Sequence, residues 1–207
     1  MSAVLVVCAL REELGGFEPP PGVTVLTAGV GPVEAAVATA TALARGGVSL
    51  AISAGIGGGF ADRARVGDAL AIDAETLVDL GREDGSPLAL PGGAALARRA
   101  LADPGLVALA RGAGLRVTGA LTRATVTTDA ATAAALAARV PGAAVESMEG
   151  FAVLRAAERV GIAAAEVRGI SNVVGPRETA GWDFRAGSAA AVAALESLLR
   201  ALGTTLR

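Results

Sequence analysis

Short apolar stretches rich in β-branched residues alternate along the chain with longer segments of Ala and Leu at helical spacing. The short stretches predict seven strands, at residues 3–9, 22–28, 48–54, 67–73, 115–121, 143–147 and 163–170. The longer segments predict six helices, at residues 32–45, 93–102, 104–113, 129–139, 149–160 and 185–202. This alternation is typical of α/β proteins. We therefore expect a three-layer α/β/α fold, with helices on both faces of a central mixed, largely parallel twisted sheet.

Proline and glycine mark the ends of these elements. Pro32 opens an Ala-rich segment that stops at Gly46 and Gly47, as expected for proline in a first helical turn and glycine after the last. Loops are predicted at residues 81–93 and 175–182. The second loop follows a strand end, which is where ligand sites of α/β sheets gather.

Composition narrows the class of protein. The 207 residues fit a single domain, residues 1–207, which is large enough to bury a core without disulfides or metals. Hydrophobic residues make up 53% of the chain but aromatic residues only 2%, so the core must consist of Ala, Val, Leu and Ile. The net charge is −2 and no basic cluster is interleaved with aromatic residues, which argues against a nucleic-acid partner.

The chain carries few signals of location. Cys8 is its only cysteine, and a lone thiol in an apolar run is typical of the reducing cytoplasm. The apolar run of residues 3–10 has no basic segment before it, so it predicts a strand instead of a signal peptide. Residues 186–202 are interrupted by Glu196 and Arg200, so no membrane span is expected.

Histidine is absent. This excludes Ser/His/Asp and Cys/His nucleophile systems and, with a single cysteine, argues against a zinc site. Any acid–base chemistry must therefore come from carboxylates, and we expect no metal.

Glycine-rich segments lie at the ends of three predicted strands, at AGVG (28–31), SAGIGGG (53–59) and VGD (66–68). Such glycines let a backbone approach a ligand closely, but they equally suit tight turns in a small-residue core. No helix clearly follows residues 55–60, so the pattern does not match a dinucleotide-binding fingerprint.

Carboxylates stand at two further strand ends. Glu12 and Glu13 follow the first strand, where they suit either an exposed first helical turn or the orientation of a water molecule. Met148 and Glu149 follow the strand at 143–147. One carboxylate can accept hydrogen bonds from both cis hydroxyls of a ribose beside an apolar Met wall, although Ser147 with Glu149 also suits an ordinary helix cap.

The last predicted strand is followed directly by Ser171 and Asn172. An Asn side chain both donates and accepts, so it can bind N7 and O6 of a 6-oxopurine, whereas a carboxylate would pair with an exocyclic amine. Asn is also a common loop residue, so this position is informative only together with the others.

In this order and spacing, four segments resemble the superfamily of purine nucleoside phosphorylases and methylthioadenosine/S-adenosylhomocysteine nucleosidases, over nearly the whole chain. They are AGVGPVEAA (28–36), SAGIGGGF (53–60), VGDALAID (66–73) and ESMEGFAV (146–153). The superfamily carries an acidic residue on the last strand, where this chain has Asn172. Within the superfamily, ESMEGFAV, EVRGISNVVGPR (166–177) and Trp182 resemble the futalosine hydrolases, whose substrate carries hypoxanthine.

The resemblance implies roles for individual residues. Glu13 would hold the attacking water, Glu149 would bind the ribose 2′- and 3′-hydroxyls, and Asn172 would bind the base at N7. The other implied contacts are Met148 on the sugar, Gly57 in the glycine loop, Val126 and Phe151 in the base-pocket wall, and Arg168 with Ser171 orienting Asn172. Four residues can supply an aromatic wall near the 5′ substituent: Phe17, Phe60, Trp182 and Phe184.

The implied reaction is hydrolysis of the N-glycosidic bond through an oxocarbenium-like transition state, without a cofactor, by a homo-oligomer that is a dimer or larger. The substrate would be a small purine nucleoside, futalosine, in the route to menaquinone. Three alternatives stay open: a methylthioadenosine/S-adenosylhomocysteine nucleosidase, a phosphorylase and a non-catalytic purine-binding protein. The phosphorylases place phosphate-binding arginines where this chain reads ALREEL (9–14) and LAISAGIGG (50–58), and only the first contains an Arg, beside two carboxylates.

Overall fold

The computed structural model describes residues 3–82, 84, 86, 88–176 and 181–203. These residues form eight strands and five α-helices, with short 3-10 helices at Arg11–Leu14 and Pro91–Gly93. The strands are β1 (Ala3–Cys8), β2 (Val23–Thr27), β3 (Val48–Gly59), β4 (Ala69–Leu77), β5 (Arg99–Leu101), β6 (Arg116–Thr122), β7 (Ala143–Ser147) and β8 (Ala163–Val173). The α-helices are α1 (Pro32–Ala44), α2 (Pro104–Gly112), α3 (Ala130–Arg139), α4 (Gly150–Arg159) and α5 (Phe184–Ala201).

The strands form one mixed sheet that partly closes on itself. β3, β8, β4, β6 and β7 pair in that order, and β7 pairs back with the last residues of β3 to complete a ring. β1 and β2 extend the sheet from β3, and β5 pairs with the later part of β4. Among the described residues, five strand pairs are parallel and three antiparallel. The largely parallel mixed sheet is therefore confirmed, and the ring closure is a feature that the strand pattern did not indicate.

Helices cover both faces of this sheet, as predicted. Val4 and Val6 of β1 belong to the core cluster that includes α2 and α5, whereas Leu5 and Val7 belong to the cluster that includes α1 and α4. Successive side chains of a strand point to opposite faces, so a strand buried on both faces must be apolar throughout. This explains the uninterrupted apolar run at the start of the chain.

Aspartates cap three of the five helices. Asp103, Asp129 and Asp183 accept hydrogen bonds from backbone N–H groups in the first turns of α2, α3 and α5. α4 differs, because the residue at its cap position, Glu149, makes no side-chain cap bond. Instead, the first-turn N–H groups of Gly150 and Phe151 donate to Ser147 Oγ at 3.4 Å and Thr122 Oγ1 at 2.9 Å. The Glu149 carboxylate is used elsewhere, as described below.

Several predicted boundaries were wrong. The helix predicted at residues 93–102 is absent from that stretch, where Arg99–Leu101 forms β5 against β4. The glycines at 55–59 do not form a loop but continue β3, pairing with β8. Of the predicted loop at 175–182, residues 177–180 lie outside the described residues, as do residues 83, 85 and 87 of the loop at 81–93.

Two glycines bring α5 against the backbone of β8. A side chain on Gly169 of β8 would collide with the Gly187 carbonyl oxygen and the Ala191 nitrogen of α5. A Cβ on Gly187 would in turn lie 2.6 Å from the Cβ of Ser171. The close approach therefore needs glycine on both elements, and it places α5 directly behind the end of β8. None of the helices in the described residues is long and apolar enough to cross a membrane.

Candidate active site

A cavity of about 190 Å³ opens where β1, β3, β7 and β8 end. Seven of the nine residues singled out from the sequence line it: Glu13, Gly57, Val126, Met148, Glu149, Ser171 and Asn172. A larger depression of about 780 Å³ lies between α2 and α5, but none of the described residues that line it is a carboxylate. The smaller cavity is therefore the candidate site.

Glu13 reaches this cavity from the 3-10 helix after β1 and is only 7% exposed. Burial raises the pKa of Glu13 to about 7; the cation of Arg168 and the backbone N–H of Ile56 oppose this rise, and the charges of Glu149 and Glu12 add to it. Among the described residues its Oε2 has no hydrogen-bond partner. Glu13 therefore changes protonation near neutral pH, as a group that takes a proton from a water requires.

The raised pKa predicts how Glu13→Gln changes stability with pH. A carboxyl whose folded-state pKa, about 7, lies above its ordinary value of 4.5 stabilises the fold while protonated, and this contribution is lost as pH rises between those values. The Gln variant lacks the titration, so it should exceed the wild type in unfolding free energy at pH 8 by up to about 3 kcal/mol, and match it near pH 4. Urea denaturation at the two pH values measures this. A difference that is equal at both would contradict the assigned pKa.

Arg168 lies beneath Glu13 and not beside Asn172. Its guanidinium donates hydrogen bonds to Glu166 Oε1 at 2.8 Å, Ser53 Oγ at 2.8 Å and the Ile56 carbonyl at 3.5 Å. A side chain at Gly55 would collide with Glu13 Oε2 and approach Arg168 Nη1 to 2.8 Å. Glycine at position 55 thus leaves room for both groups on the same side of β3, although no salt bridge of 4.0 Å or less joins them among the described residues. Among the described residues no hydrogen bond joins Arg168 to Asn172, so no direct contact supports the predicted orientation of Asn172 by Arg168.

Glu149 and Met148 lie in the turn between β7 and α4. Glu149 Oε1 accepts a hydrogen bond from the backbone N–H of Gly31 at 2.8 Å. Gly31 has a φ of 97°, a conformation that favours glycine, so this residue is needed to aim its N–H at the carboxylate. The glycine-rich turn before α1 therefore fixes one oxygen of Glu149, while Oε2 has no hydrogen bond within the described residues.

Asn172 is held by its neighbours at the end of β8. Its Oδ1 lies 3.0 Å from the Ser171 hydroxyl, which is also 3.3 Å from the Gly57 carbonyl, and its Nδ2 donates to the Val173 carbonyl at 3.0 Å. Ser171 thus contacts the amide oxygen of Asn172 directly, which is the contact that the orienting role predicted for Ser171 requires. The second N–H of Nδ2 makes no hydrogen bond in the described chain, so it can donate to an acceptor on a bound base.

Comparison with known proteins assigns the chain to a family. The family model of the phosphorylase superfamily matches residues 21–203. A futalosine hydrolase from Streptomyces coelicolor is 44% identical over 170 residues, which cover 79% of this chain and 72% of the relative. The chain belongs to the futalosine hydrolase family of the phosphorylase superfamily.

Solved structures show the same fold at lower identity. A futalosine hydrolase of Helicobacter pylori has a TM-score of 0.81 at 17% identity, over 96% of this chain and 97% of that one. A methylthioadenosine/S-adenosylhomocysteine nucleosidase from Colwellia psychrerythraea, in complex with adenine, has a TM-score of 0.79 at 21% identity, over 100% and 98%. Futalosine hydrolases and these nucleosidases thus share one fold, and the fold alone does not separate them.

Two residues that the family resemblance singled out lie outside the cavity lining. Phe151 packs in the core cluster with α1 and α4, and Arg168 is 1% exposed beneath Glu13. Of the four candidate aromatic residues, Trp182 and Phe184 line the cavity with ring centroids 6.3 Å apart, whereas Phe17 and Phe60 are buried in the core.

The sequence reasoning assigned no role to Glu146, which also lines the cavity of this futalosine hydrolase family member. Its carboxylate accepts hydrogen bonds from the backbone N–H and the hydroxyl of Thr127, and Arg123 donates to that hydroxyl at 2.8 Å. These contacts anchor the segment that presents Val126 to the cavity. The sequence does carry a signal for this residue, because Glu146 is a carboxylate directly after the apolar residues 143–145 of the strand.

Proposed function

We propose that the protein is an N-glycosidase that hydrolyses futalosine to hypoxanthine and dehypoxanthine futalosine, a step in the route to menaquinone. Membership of the futalosine hydrolase family makes it a hydrolase of N-glycosyl compounds. The observation that carries the proposal is the convergence of Glu13, Glu149 and Asn172 on one cavity, in a chain of this family.

Each of the three residues suits one part of a dissociative reaction. As the glycosidic bond stretches, the ribose becomes oxocarbenium-like, and the Glu149 carboxylate near the sugar favours this positive charge. Glu13 places a water beneath C1′ and accepts its proton. Asn172 donates a hydrogen bond to the leaving base at N7 or O6, and the base, which departs with the electron pair of the glycosidic bond, takes up its proton from solvent. Arg168 supports the ionised form of Glu13, whose pKa it lowers against the effect of burial.

Water suits this cavity better than phosphate does. Three carboxylates line the described cavity, Glu13, Glu146 and Glu149, and no Arg or Lys is among its lining residues. Arg11, the one candidate from the sequence, donates a hydrogen bond to the Phe17 carbonyl. A phosphate dianion would meet negative charges at short range in a partly desolvated site, which disfavours phosphorolysis.

Asn172→Asp tests base recognition. An Asp accepts from the exocyclic amine of adenine but offers no N–H to O6, so the ratio of kcat/KM for futalosine over methylthioadenosine should fall roughly 100-fold. Steady-state rates on both nucleosides measure the ratio. The control Asn172→Ala removes donor and acceptor together and should lower both rates without favouring adenine. An unchanged rate on futalosine in the Asp variant would refute the assignment.

We infer a cytoplasmic homo-oligomer, a dimer or larger, that acts on a small purine nucleoside and needs no cofactor. The buried free thiol of Cys8 fits the reducing compartment.

The substrate is tested by base release followed by chromatography. The purified protein is incubated with futalosine, inosine and methylthioadenosine in separate reactions at equal concentration. We expect hypoxanthine from futalosine, and much less base from inosine and methylthioadenosine. Faster release of adenine from methylthioadenosine would instead indicate a methylthioadenosine/S-adenosylhomocysteine nucleosidase.

A further inference from the structure

Two buried glutamates that the proposed reaction does not use lie beneath the site. Glu75 of β4 and Glu166 of β8 are at most 1% exposed, as is Arg168, and both carboxyl groups converge on Gly150 at the start of α4. A side chain at position 150 would collide with Glu75 Oε1 and Glu166 Oε1 and would come within 2.6 Å of Glu166 Oε2. Glycine at position 150, directly after Glu149, therefore makes room for the two carboxyl groups.

The hydrogen bonds around the two groups are unequal. Ser147 Oγ donates to Glu75 Oε1 at 2.8 Å, and Thr122 Oγ1 donates to Glu75 Oε2 at 3.0 Å. Glu166 Oε1 instead accepts from the charged Arg168 Nε at 2.8 Å. Glu166 Oε2 is buried and has no partner among the described residues.

These contacts decide where a proton resides. Two adjoining carboxylates cannot both ionise in a buried site, because their repulsion is little screened there. A bond to a cation favours the anion more strongly than bonds to two neutral hydroxyls do, so the charge belongs on Glu166 and the proton on Glu75. A proton on Glu75 also gives Glu166 Oε2 the donor that it lacks. In agreement, burial and the charge of Glu166 raise the pKa of Glu75 well above its usual range.

We propose that Glu75 and Glu166 form a carboxylic acid–carboxylate pair that shares one proton, and that Glu166 acts as a positioning residue that holds Arg168 under Glu13. The role assigned to Glu13 rests on the proposed function, whereas the proton sharing does not. Neither glutamate lines the cavity, so both act through Arg168.

The pair has a specific electrostatic effect on Glu13. The charged and titratable groups around Glu13 are Arg168 from β8, Glu149 before α4, Glu12 on its own 3-10 helix and the Cys8 thiol at the end of β1. Arg168 is the cation of this set that lowers the pKa of Glu13. The negative charge of Glu166 offsets part of the field of Arg168, and so it keeps the proton affinity of Glu13 higher than an unpaired Arg168 would allow.

Infrared spectroscopy tests the shared proton without any substrate. At pH 9 Glu13 is ionised, so the carbonyl stretch of a protonated carboxylic acid should persist in the wild type only because of the pair. The band should be lost in Glu75→Gln, which leaves only Glu166 beside Arg168. A wild type without this band at pH 9, or a band unchanged in Glu75→Gln, would overturn the proton sharing.

The pH dependence of kcat/KM on futalosine tests the effect on Glu13, using two chemically identical changes. Glu166→Gln removes a charge and should move the acid limb to lower pH by about half a unit. Glu75→Gln replaces a neutral group by a neutral group, so it should not move the limb. The double variant, in which Glu75 cannot take over the charge, should shift the limb at least as far as Glu166→Gln. Thermal unfolding confirms that each variant is folded.

The outcomes separate this inference from the proposed function. Equal shifts in the two single variants, or no shift in the double variant, would overturn the effect of Glu166 on Glu13 while hydrolysis itself stands. A wild type that releases no hypoxanthine from futalosine would refute the proposed function, and the infrared band would then decide the proton sharing alone.

Discussion

Replacing Glu13 with Gln is expected to lower hypoxanthine release from futalosine about 1000-fold, because Gln cannot take a proton from the attacking water. Affinity for the substrate should change little, since the contacts assigned to ribose and base come from Glu149 and Asn172. Single-turnover rates together with equilibrium binding, measured by calorimetry on the inactive variant, separate the two quantities.

A neighbouring carboxylate provides the control for this prediction. Glu12 is adjacent in sequence but exposed and outside the cavity lining, so Glu12→Gln should change the rate less than about twofold. Two results would count against the role of Glu13. Turnover retained in Glu13→Gln would exclude it as the base, and an equal loss of turnover and binding would indicate a structural role or a binding protein.

A substitution at Gly169 is expected to have the second large effect, a loss of stability. Gly169→Ala should lower the free energy of unfolding by about 3 kcal/mol, because the new methyl group meets backbone atoms of α5 that cannot turn away. The displaced helix would also disturb Ser171, which Gly187 of α5 contacts, and thereby the support of Asn172. Urea denaturation and hypoxanthine release measure the two consequences.

Gly112→Ala is the matched control for Gly169→Ala. Gly112 is the last residue of α2 and exposed, and a Cβ there meets no atom within 4 Å. Because Ala favours a helix over Gly by up to about 1 kcal/mol, this variant should be as stable as the wild type or slightly more stable. A Gly169→Ala protein as stable as Gly112→Ala would show that α5 can move away from β8 at little cost.

Local signals in the sequence were enough to locate most elements. Pro32 and the two glycines after α1 mark its ends, and the apolar run of β1 predicts a strand that is covered on both faces. The error at residues 93–102 has a clear cause. Its Ala and Leu content favours a helix, but Arg99–Leu101 finds free backbone groups on β4, and tertiary pairing outweighs local propensity.

The glycines of β3 illustrate a second limit. Glycine disfavours strands, so residues 55–59 predict a loop. In the fold each side-chain position is already occupied: Gly55 adjoins Glu13 and Arg168, Gly57 adjoins Val145, and Gly59 adjoins Ala64. The strand needs glycine because the site and the ring of strands crowd its surface, and this information comes from residues distant in sequence.

The sequence predicted the site residues that follow strand ends, but not the residues that act on the site through other side chains. Glu13, Glu149 and Asn172 follow strands and resemble a family pattern, and they do line one cavity. Glu75 and Glu166 are 91 positions apart in the numbering and carry no motif, so only the folded sheet brings their carboxyl groups together. Phe151 resembled a pocket wall, but its helix turns it into the core.

Hypoxanthine release from futalosine in phosphate-free buffer, followed over time and repeated with added phosphate, tests the central claim most directly. The account predicts full turnover without phosphate, no ribose 1-phosphate-type product when phosphate is added, and loss of the release in Glu13→Gln. A reaction that needs phosphate, or one that Glu13→Gln leaves intact, would contradict hydrolysis by a water held on Glu13.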